Sequence, residues 1–241
     1  MVNVIDHYEN HLADDYSWLF GGIKVKTEEN RIFFESHSII PRSSGIAVDL
    51  GCGSGFQSIP LANIGFDVNA IDSSGKLLRE LNNNSEGLTI KTIKDDILNF
   101  QNHLTKKIEL VICMGDTITH IDSKEKIKNL FHNVSKTLEN NGRFILTLRD
   151  LMHELTELDR FIPVKSDGSK IFTCFLEYQK ETVKVHDIIY ERIENGWNQK
   201  KSFYKKTRVP FNWAKEELEK EGFVIEFSNN DKGLITIIAK R

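Results

Sequence analysis

Short apolar runs alternate with stretches of mixed character through the first 150 residues, and this alternation indicates an α/β fold. The apolar runs, several rich in β-branched residues, predict strands that are buried on both faces. These strands lie at 45–50, 67–71, 88–93, 108–114 and 143–148. The intervening stretches, together with two outside the alternation, predict helices at 3–20, 28–38, 54–64, 73–84, 123–138 and 212–221.

A different pattern begins near residue 170. Alternating apolar and polar positions predict three antiparallel strands at 171–178, 182–193 and 197–209, and Asn195-Gly196 is a strong hairpin-turn sequence. A closing hairpin is predicted from 223–228 and 234–239. The predicted organisation is an N-terminal helical segment (1–44), a core (45–169 and 210–241) and an antiparallel β insertion (170–209).

The composition is that of an ordinary globular protein. The 241 residues carry 32 basic and 35 acidic side chains, a formal charge of −3. Nucleic-acid surfaces normally carry excess positive charge, so no nucleic-acid partner is expected. The basic residues from Lys200 to Arg208 are expected to lie on a solvated strand face. Cys52, Cys113 and Cys174 are dispersed, which favours reduced thiols. With no signal-peptide pattern and no apolar run of about 18 residues, we expect a cytoplasmic protein without a membrane partner.

The first predicted strand leads into a glycine-rich turn, Asp49-Leu-Gly-Cys-Gly-Ser-Gly. The glycines remove side chains where a ligand would lie against the backbone, and Ser54 is expected to cap the following helix. Dinucleotide-binding proteins need G-x-G-x-x-G, whereas Phe56 occupies the last glycine position. The structural alternative is a bare strand-to-helix turn made of small residues.

This Asp-x-Gly-x-Gly-x-Gly pattern resembles the first motif of the Rossmann-like (class I) S-adenosylmethionine-dependent methyltransferases of the small-molecule type. The resemblance runs from about residue 45 to the end, with the insertion excepted. It implies a doubly wound, seven-stranded, mostly parallel sheet whose last strand is antiparallel. It also implies S-adenosylmethionine as cofactor and S-adenosylhomocysteine as product.

The resemblance places cofactor-binding residues after each of the first four strands. They are Asp49, Gly51, Cys52, Gly53, Gly55, Asp72, Ser73, Asp96, Ile97, Met114 and Gly115. Asp49 would hold water or the cofactor ammonium group, or orient the turn. Asp72 can accept hydrogen bonds from both ribose hydroxyls, and its alternative role is to cap the next helix. Asp96, with Asp95 as the competing residue, and Ile97 are expected against the adenine.

Three polar residues near the same sheet edge are candidates for catalysis or acceptor binding. His120 has the titration range of a general base, and Asp116 has a similar claim. Either residue can instead be purely structural. Arg149 follows the fifth strand, where it can contact the substrate or close an ion pair.

The N-terminal segment is rich in aromatic residues. Tyr8, Tyr16 and Trp18 are expected either to form a lid over the pocket or to pack against the core. His7 and His11 have a spacing that metals can use, but a solvated face is the preferred interpretation and no metal site is predicted.

We therefore expect an enzyme that transfers the methyl group of S-adenosylmethionine to a nucleophilic atom of a small-molecule acceptor. Enzymes that methylate nucleobase or protein amino groups typically carry Asn or Asp, two prolines and an aromatic residue after the fourth strand, and the sequence from Met114 to Thr117 lacks the prolines. An RNA- or protein-directed enzyme and a non-catalytic cofactor-binding module remain alternatives. The insertion is expected to cover the acceptor pocket or to form a dimer surface, in a monomer or a homodimer.

Overall fold

The computed structural model describes residues 4–241 of the chain. The first residue of the helix predicted at 3–20, and residues 1–3 of the predicted N-terminal segment, lie outside this described part. Two sheets organise the rest, one with seven strands and one with four. The predicted α/β fold with an additional antiparallel β unit is therefore confirmed.

The strands and helices follow in chain order. The strands are β1 (Ile46–Leu50), β2 (Asp67–Asp72), β3 (Ile90–Lys94), β4 (Ile108–Cys113), β5 (Leu138–Arg149), β6 (Phe161–Ser166), β7 (Lys170–Tyr178), β8 (Thr182–Ile193), β9 (Gly196–Thr207), β10 (Val224–Asp231) and β11 (Leu234–Lys240). The α-helices are α1 (Val4–His7), α2 (Tyr16–Leu19), α3 (Ile23–Ser36), α4 (Ser58–Asn63), α5 (Gly75–Asn84), α6 (Lys124–Thr137) and α7 (Phe211–Lys220).

The seven-stranded sheet has the predicted doubly wound topology. Its strand order is β10-β11-β5-β4-β1-β2-β3, and only β11, the last strand in the chain, runs antiparallel to its neighbours. Successive residues of β1 point to opposite faces: Ala47 packs with α3, α4 and α5, whereas Val48 packs with α6 and α7. The carboxyl ends of β1, β2, β3 and β4 therefore meet at one edge between two helical layers.

The second sheet has four antiparallel strands in the order β6-β7-β8-β9, one more than the sequence predicted. The additional strand, β6, contains Pro163, which cannot donate to a sheet ladder. Proline is tolerated there because β6 is an edge strand and its register shifts between Pro163 and Lys165.

The sequence predicts one helix at 3–20. In the structure this segment is helical, but it is divided into four short pieces. Between α1 and α2 it winds through a π-helical turn (Tyr8–Leu12) and a 3₁₀ turn (Ala13–Asp15). Tertiary contacts explain the irregularity, since His7 bonds to β8 and β9 while Glu9 bonds to the start of α5. Among the described residues, no helix is long and apolar enough to cross a membrane.

Candidate functional site

A cavity of about 370 Å³ lies at the carboxyl edge of the seven-stranded sheet. This volume is within the usual range of about 300–1,000 Å³ for small-molecule sites. The predicted residues that line it are Tyr8, Tyr16, Gly51, Gly53, Asp72, Ser73, Asp96, Ile97, Gly115 and His120. The fold thus brings together residues from the N-terminal segment and from the ends of β1, β2, β3 and β4.

The glycine turn forms the floor of the cavity. Gly51 has a φ of +78°, and a Cβ atom there would lie 2.3 Å from Thr117 Cγ2. At Gly53 a Cβ atom would lie 3.3 Å from the Tyr16 ring, which closes over the turn. The backbone N–H groups of Gly51 and Cys52 both donate to the Ile71 carbonyl, at 2.8 and 3.1 Å, so the turn is fastened to β2.

The end of the turn differs from the prediction. Helix α4 begins at Ser58 rather than at residue 54, because residues 51–57 form the turn. Ser54 therefore does not cap the helix, and its hydroxyl donates to Glu80 instead. Gly55 does not line the cavity; its missing side chain makes room for Leu81, whose Cδ1 would lie 2.2 Å from a Cβ atom. Gly55 is thus explained by helix packing rather than by ligand contact.

Asp72 ends β2 beside the glycine turn. Its Oδ2 accepts the backbone N–H of Gly53 at 2.9 Å, and its Oδ1 accepts the N–H of Ser74 at 2.8 Å. Burial raises the pKa of this carboxyl group, although these N–H donors oppose the rise. Ser74 rather than Asp72 caps α5, through its hydroxyl and the N–H of Leu77. The helix-capping role considered for Asp72 is therefore performed by Ser74.

The two acids after β3 have different partners. The Asp95 carboxylate accepts from Asn99 at 2.9 Å and contacts His103 Nε2 at 2.7 Å. Asp96 accepts the Leu98 N–H through Oδ1, which leaves Oδ2 available for a ligand. Both acids line the cavity, as do Ile97 and Leu98, but the bonding pattern favours Asp96.

Three predicted cofactor residues lie beneath the cavity. Asp49 is 1% exposed, accepts the Ser58 hydroxyl at 2.6 Å, and has a pKa that burial raises to about 7. Of the roles considered for Asp49, orientation of the turn fits this position best. The Cys52 and Met114 side chains belong to the core packed against α3, α4 and α5, and neither residue lines the cavity.

His120 lies in the 3₁₀ turn that follows β4. Its Nε2 is 3.2 Å from the Tyr8 hydroxyl, while its Nδ1 is buried and has no hydrogen-bond partner within residues 4–241. Burial, with a further contribution from Lys206, lowers the pKa of His120 to about 3. A pKa this low keeps the imidazole neutral at physiological pH but makes it a weak proton acceptor, so it does not favour the general-base role considered for His120.

Asp116 is held by several groups. Its residue adopts a left-handed conformation with a φ of +80°, its Oδ2 forms an ion pair with Lys206, and its Oδ1 accepts the Arg149 N–H at 2.9 Å. Burial opposes ionisation, but Lys206 and the Arg149 N–H lower the pKa of Asp116 below its ordinary value. These contacts describe a structural anchor rather than a free base.

Two predicted contact residues face away from the cavity. Trp18 donates its Nε1 to Asp167 at 2.5 Å, and its carbonyl accepts Lys165, so it secures the N-terminal segment to the second sheet. The Arg149 side chain is exposed, and only its backbone contacts the site. Tyr8 and Tyr16 are the members of the aromatic group that line the cavity.

Sequence reasoning missed Thr117, which covers Gly51, and Lys206, which pairs with Asp116. The expected solvated face at 200–208 is wrong for Lys206 and Arg208, which are 9% and 7% exposed. Alternation along β9 carried the signal, because Lys206 shares a face with the buried Tyr204. No group of three or more His, Cys, Asp or Glu suited to a metal ion occurs in the described part of the chain.

Comparison with solved structures identifies the class of fold. An S-adenosylmethionine-dependent methyltransferase from Clostridium acetobutylicum matches with a TM-score of 0.73 at 18% identity, over 97% of this chain and 95% of that one. An amino pentose methyltransferase from Micromonospora echinaspora, solved with bound S-adenosylmethionine, gives 0.72 at 13% identity, over 95% and 93%. The chain therefore has the Rossmann-like, class I methyltransferase fold.

Sequence comparison agrees with this fold. Residues 47–142 match the model of a family described as a methyltransferase domain. A glycine/sarcosine N-methyltransferase from Aphanothece halophytica is 26% identical over 151 residues, which cover 60% of this chain and 56% of that protein. The matched region spans little more than half the length of such curated relatives.

Proposed function

We propose that the protein transfers the methyl group of S-adenosylmethionine to a small-molecule acceptor. The observation that carries this proposal is the cavity in which Asp72 and the glycine turn are joined by a 2.9 Å hydrogen bond. The carboxylate and the open backbone suit a ligand with a ribose and a slender polar chain but no phosphate.

The residues present fit this cofactor. Asp72 would hold the ribose hydroxyls, and Asp96 with Ile97 would hold the adenine. Gly53 and Gly115 keep side chains out of the path of the methionine part: a Cβ atom at Gly53 would press on Tyr16, and the space beside Gly115 is open within 4 Å. When bound, the cofactor supplies a methyl group on a positively charged sulfur.

The N-terminal segment is proposed to act as the lid. Tyr8 and Tyr16 line the cavity from above, and the segment is held on two sides, by Glu9 on Ser74 at 2.7 Å and by His7 on Asp187 at 2.9 Å. The second sheet would support this lid through His7 and is proposed to cover the acceptor side, although the residues that line the cavity lie outside β6–β9. The residues of the chain would orient the reactants and exclude water, and orientation contributes about 7–11 kcal/mol in favourable systems.

The acceptor atom is proposed to be an amine nitrogen. Three of the curated relatives are glycine/sarcosine N-methyltransferases, and an uncharged amine attacks through its own lone pair and can lose its proton to water after the transfer, so no protein base is required. A nucleic-acid acceptor is not part of the proposal, since the net charge is −3. We further propose that the protein acts in the cytoplasm, as a monomer or as a homodimer.

Labelled transfer tests the proposal. The protein is incubated with methyl-labelled S-adenosylmethionine and a metabolite extract, with glycine, sarcosine and an amino sugar in parallel reactions, and products are read by mass spectrometry. We expect label in a small amine-containing product. Bound cofactor with no labelled product from any mixture would instead support a non-catalytic binding module.

A further inference from the structure

Glu9 of the N-terminal segment places its carboxylate on the first turn of α5. Its Oε2 atom accepts the Ser74 hydroxyl at 2.7 Å and the Lys76 backbone N–H at 3.2 Å. The backbone N–H groups of a first helical turn have no partner inside the helix, and the helix dipole favours a negative charge beside them. Since the first turn of α5 contains no acidic residue of its own, the N-terminal segment supplies this charge.

Two basic side chains add to the positive charge at this helix start. A Cβ atom at Gly75 would lie 3.2 Å from Lys94 Nζ, 3.6 Å from Arg79 Nη1 and 3.7 Å from Glu9 Oε1. Glycine at this position thus leaves room for the three charged groups to come together. The hydrogen bonds and the two basic groups lower the pKa of Glu9, the bond from the Ser74 hydroxyl most strongly. Glu9 is therefore ionised at neutral pH.

Ser74 connects this carboxylate to the acid proposed to hold the ribose. Its side chain is buried, and its hydroxyl donates to Glu9 while it accepts the Leu77 N–H at 3.3 Å. Its backbone N–H donates to Asp72 Oδ1 at 2.8 Å. Asp72 in turn accepts the Gly53 N–H at 2.9 Å. One buried serine thus fixes both the carboxylate of the lid and the ribose acid.

The same segment carries the aromatic cover of the cavity. Tyr8, directly before Glu9, lines the cavity, whereas Glu9 does not. Successive residues of a helical turn point in different directions, so Tyr8 can face the cavity while Glu9 faces α5. Further along the segment, Tyr16 lies over Gly53. Release of Glu9 would therefore loosen both tyrosines without removing any side chain that lines the cavity.

We propose that Glu9 is a positioning residue whose carboxylate latches the N-terminal lid onto the start of α5, next to the acid that holds the ribose. The link to the cofactor rests on the proposed function, since Asp72 must bind the ribose for it to operate. A ligand that steadies Asp72 and Ser74 then strengthens the latch, and the latch strengthens ligand binding by the same factor, because coupling between two sites is reciprocal. The latch itself is a property of the protein and can be measured without a ligand.

Hydrogen–deuterium exchange of the full chain, read by mass spectrometry, tests the latch in the free protein. Peptides from residues 4–20 and from the start of α5 should exchange about tenfold faster in Glu9→Ala than in the wild type, because hydrogen bonds to a charged group are lost. Peptides from the rest of the chain should exchange as in the wild type. Glu9→Gln keeps an acceptor oxygen but no charge, and its exchange should lie between the two.

Asp14→Asn is the matched control. Asp14 joins the same segment to the same helix through an exposed ion pair with Lys76 at 2.8 Å, and exposed pairs contribute little to stability. This variant should therefore exchange nearly as the wild type does.

Stopped-flow binding of S-adenosylhomocysteine tests the coupling. In Glu9→Ala the association and dissociation rates should both rise, the dissociation rate about tenfold, because a released lid opens the cavity in both directions. Loss of a direct ligand contact would instead raise the dissociation rate alone. Asp14→Asn should bind and release the ligand at nearly the rates of the wild type.

Two results would overturn the proposal. One is a folded Glu9→Ala protein whose residues 4–20 exchange as in the wild type. The other is faster exchange with unchanged rates for S-adenosylhomocysteine, which would show that the lid is independent of the cofactor. Should Glu9→Ala not fold, Glu9→Gln supplies the same comparisons. A protein that binds no S-adenosylhomocysteine would contradict the proposed function, whereas exchange in the free proteins would still decide whether Glu9 is the latch.

Discussion

The Asp72 carboxylate accepts a hydrogen bond from the backbone N–H of Gly53, and the two atoms are 2.9 Å apart. The bond joins the end of β2 to the glycine turn, so the acid and the turn support each other's position. The second oxygen of the same carboxylate accepts the Ser74 N–H at the start of α5. A ligand that binds Asp72 therefore engages two strand ends and a helix start together.

Replacing Asp72 by alanine should weaken S-adenosylhomocysteine binding about ten- to a hundredfold. The reason is the loss of hydrogen bonds to a charged group, which contribute about 1.5–3 kcal/mol each. Isothermal titration calorimetry gives the affinity directly. Asp67→Ala, at the exposed opposite end of the same strand, is the matched control and should bind like the wild type. Equal affinities for the two variants would contradict the assignment of Asp72 to the ribose.

Gly51→Ala should destabilise the protein more than Gly87→Ala does. Both glycines have nearly the same φ, +78° and +79°, so each substitution incurs a left-handed strain of about 1–2 kcal/mol. Only at Gly51 does the new methyl collide with Thr117, which adds about 1–3 kcal/mol. Urea unfolding measures both costs, and adding Thr117→Ala to Gly51→Ala should recover part of the difference. Equal costs at the two positions would rule out the collision.

Asp49 should make stability depend on pH. Its pKa is about 7 in the folded protein, against an ordinary 3.8, because the carboxyl group is buried. Between these values the unfolded chain releases a proton that the folded protein keeps, so the free energy of unfolding falls as pH rises from about 4 to about 7. Asp49→Asn removes this loss, and above pH 7 it should be more stable than the wild type by up to about 4 kcal/mol.

Urea unfolding of both proteins from pH 4 to pH 8 checks this prediction. The two proteins should be similar near pH 4, where the wild-type carboxyl group is protonated in both states, and should diverge as the pH rises. Parallel stability curves would show that the Asp49 carboxylate is ionised in the folded protein.

Tyr16→Ala should weaken S-adenosylhomocysteine binding, whereas Trp18→Ala should not. The Tyr16 ring stacks on Phe56 at 5.5 Å between centroids and covers Gly53, so its removal opens the cavity to water. Trp18 is bound to Asp167 on the far side of the segment, away from the cavity. Dissociation rates measured by stopped flow distinguish the two, and a larger effect from Trp18→Ala would contradict the lid geometry.

Local patterns explain which parts of the fold were predictable. β1, its glycine turn and Asp72 are encoded within about thirty consecutive residues, so their juxtaposition could be inferred from spacing. The Lys206–Asp116 pair joins β9 to the loop after β4, 90 positions away, and no local pattern in the lysine-rich run indicates such a partner. Similarly, the sequence does not predict β6, because a proline such as Pro163 is unfavourable in a strand unless that strand lies at the edge of its sheet.

The contact made by Ser54 illustrates the same limit. Serine before a helical pattern predicts an N-cap, yet its hydroxyl instead bonds to Glu80 of α5, 26 residues away. Local propensity was overridden by a tertiary contact that also holds Ser17 of the N-terminal segment near Glu80. The position of the glycine turn can be predicted from the sequence. The conformation at the end of the turn cannot, because it depends on the contact with α5.

Calorimetry of the purified protein with S-adenosylmethionine, S-adenosylhomocysteine, NAD and ATP tests the central claim most directly. The account predicts saturable heat with the two adenosyl compounds, abolished or strongly weakened by Asp72→Ala, and no comparable heat with the phosphate-containing ligands. Tight binding of NAD or ATP, with no heat from either adenosyl compound, would contradict it.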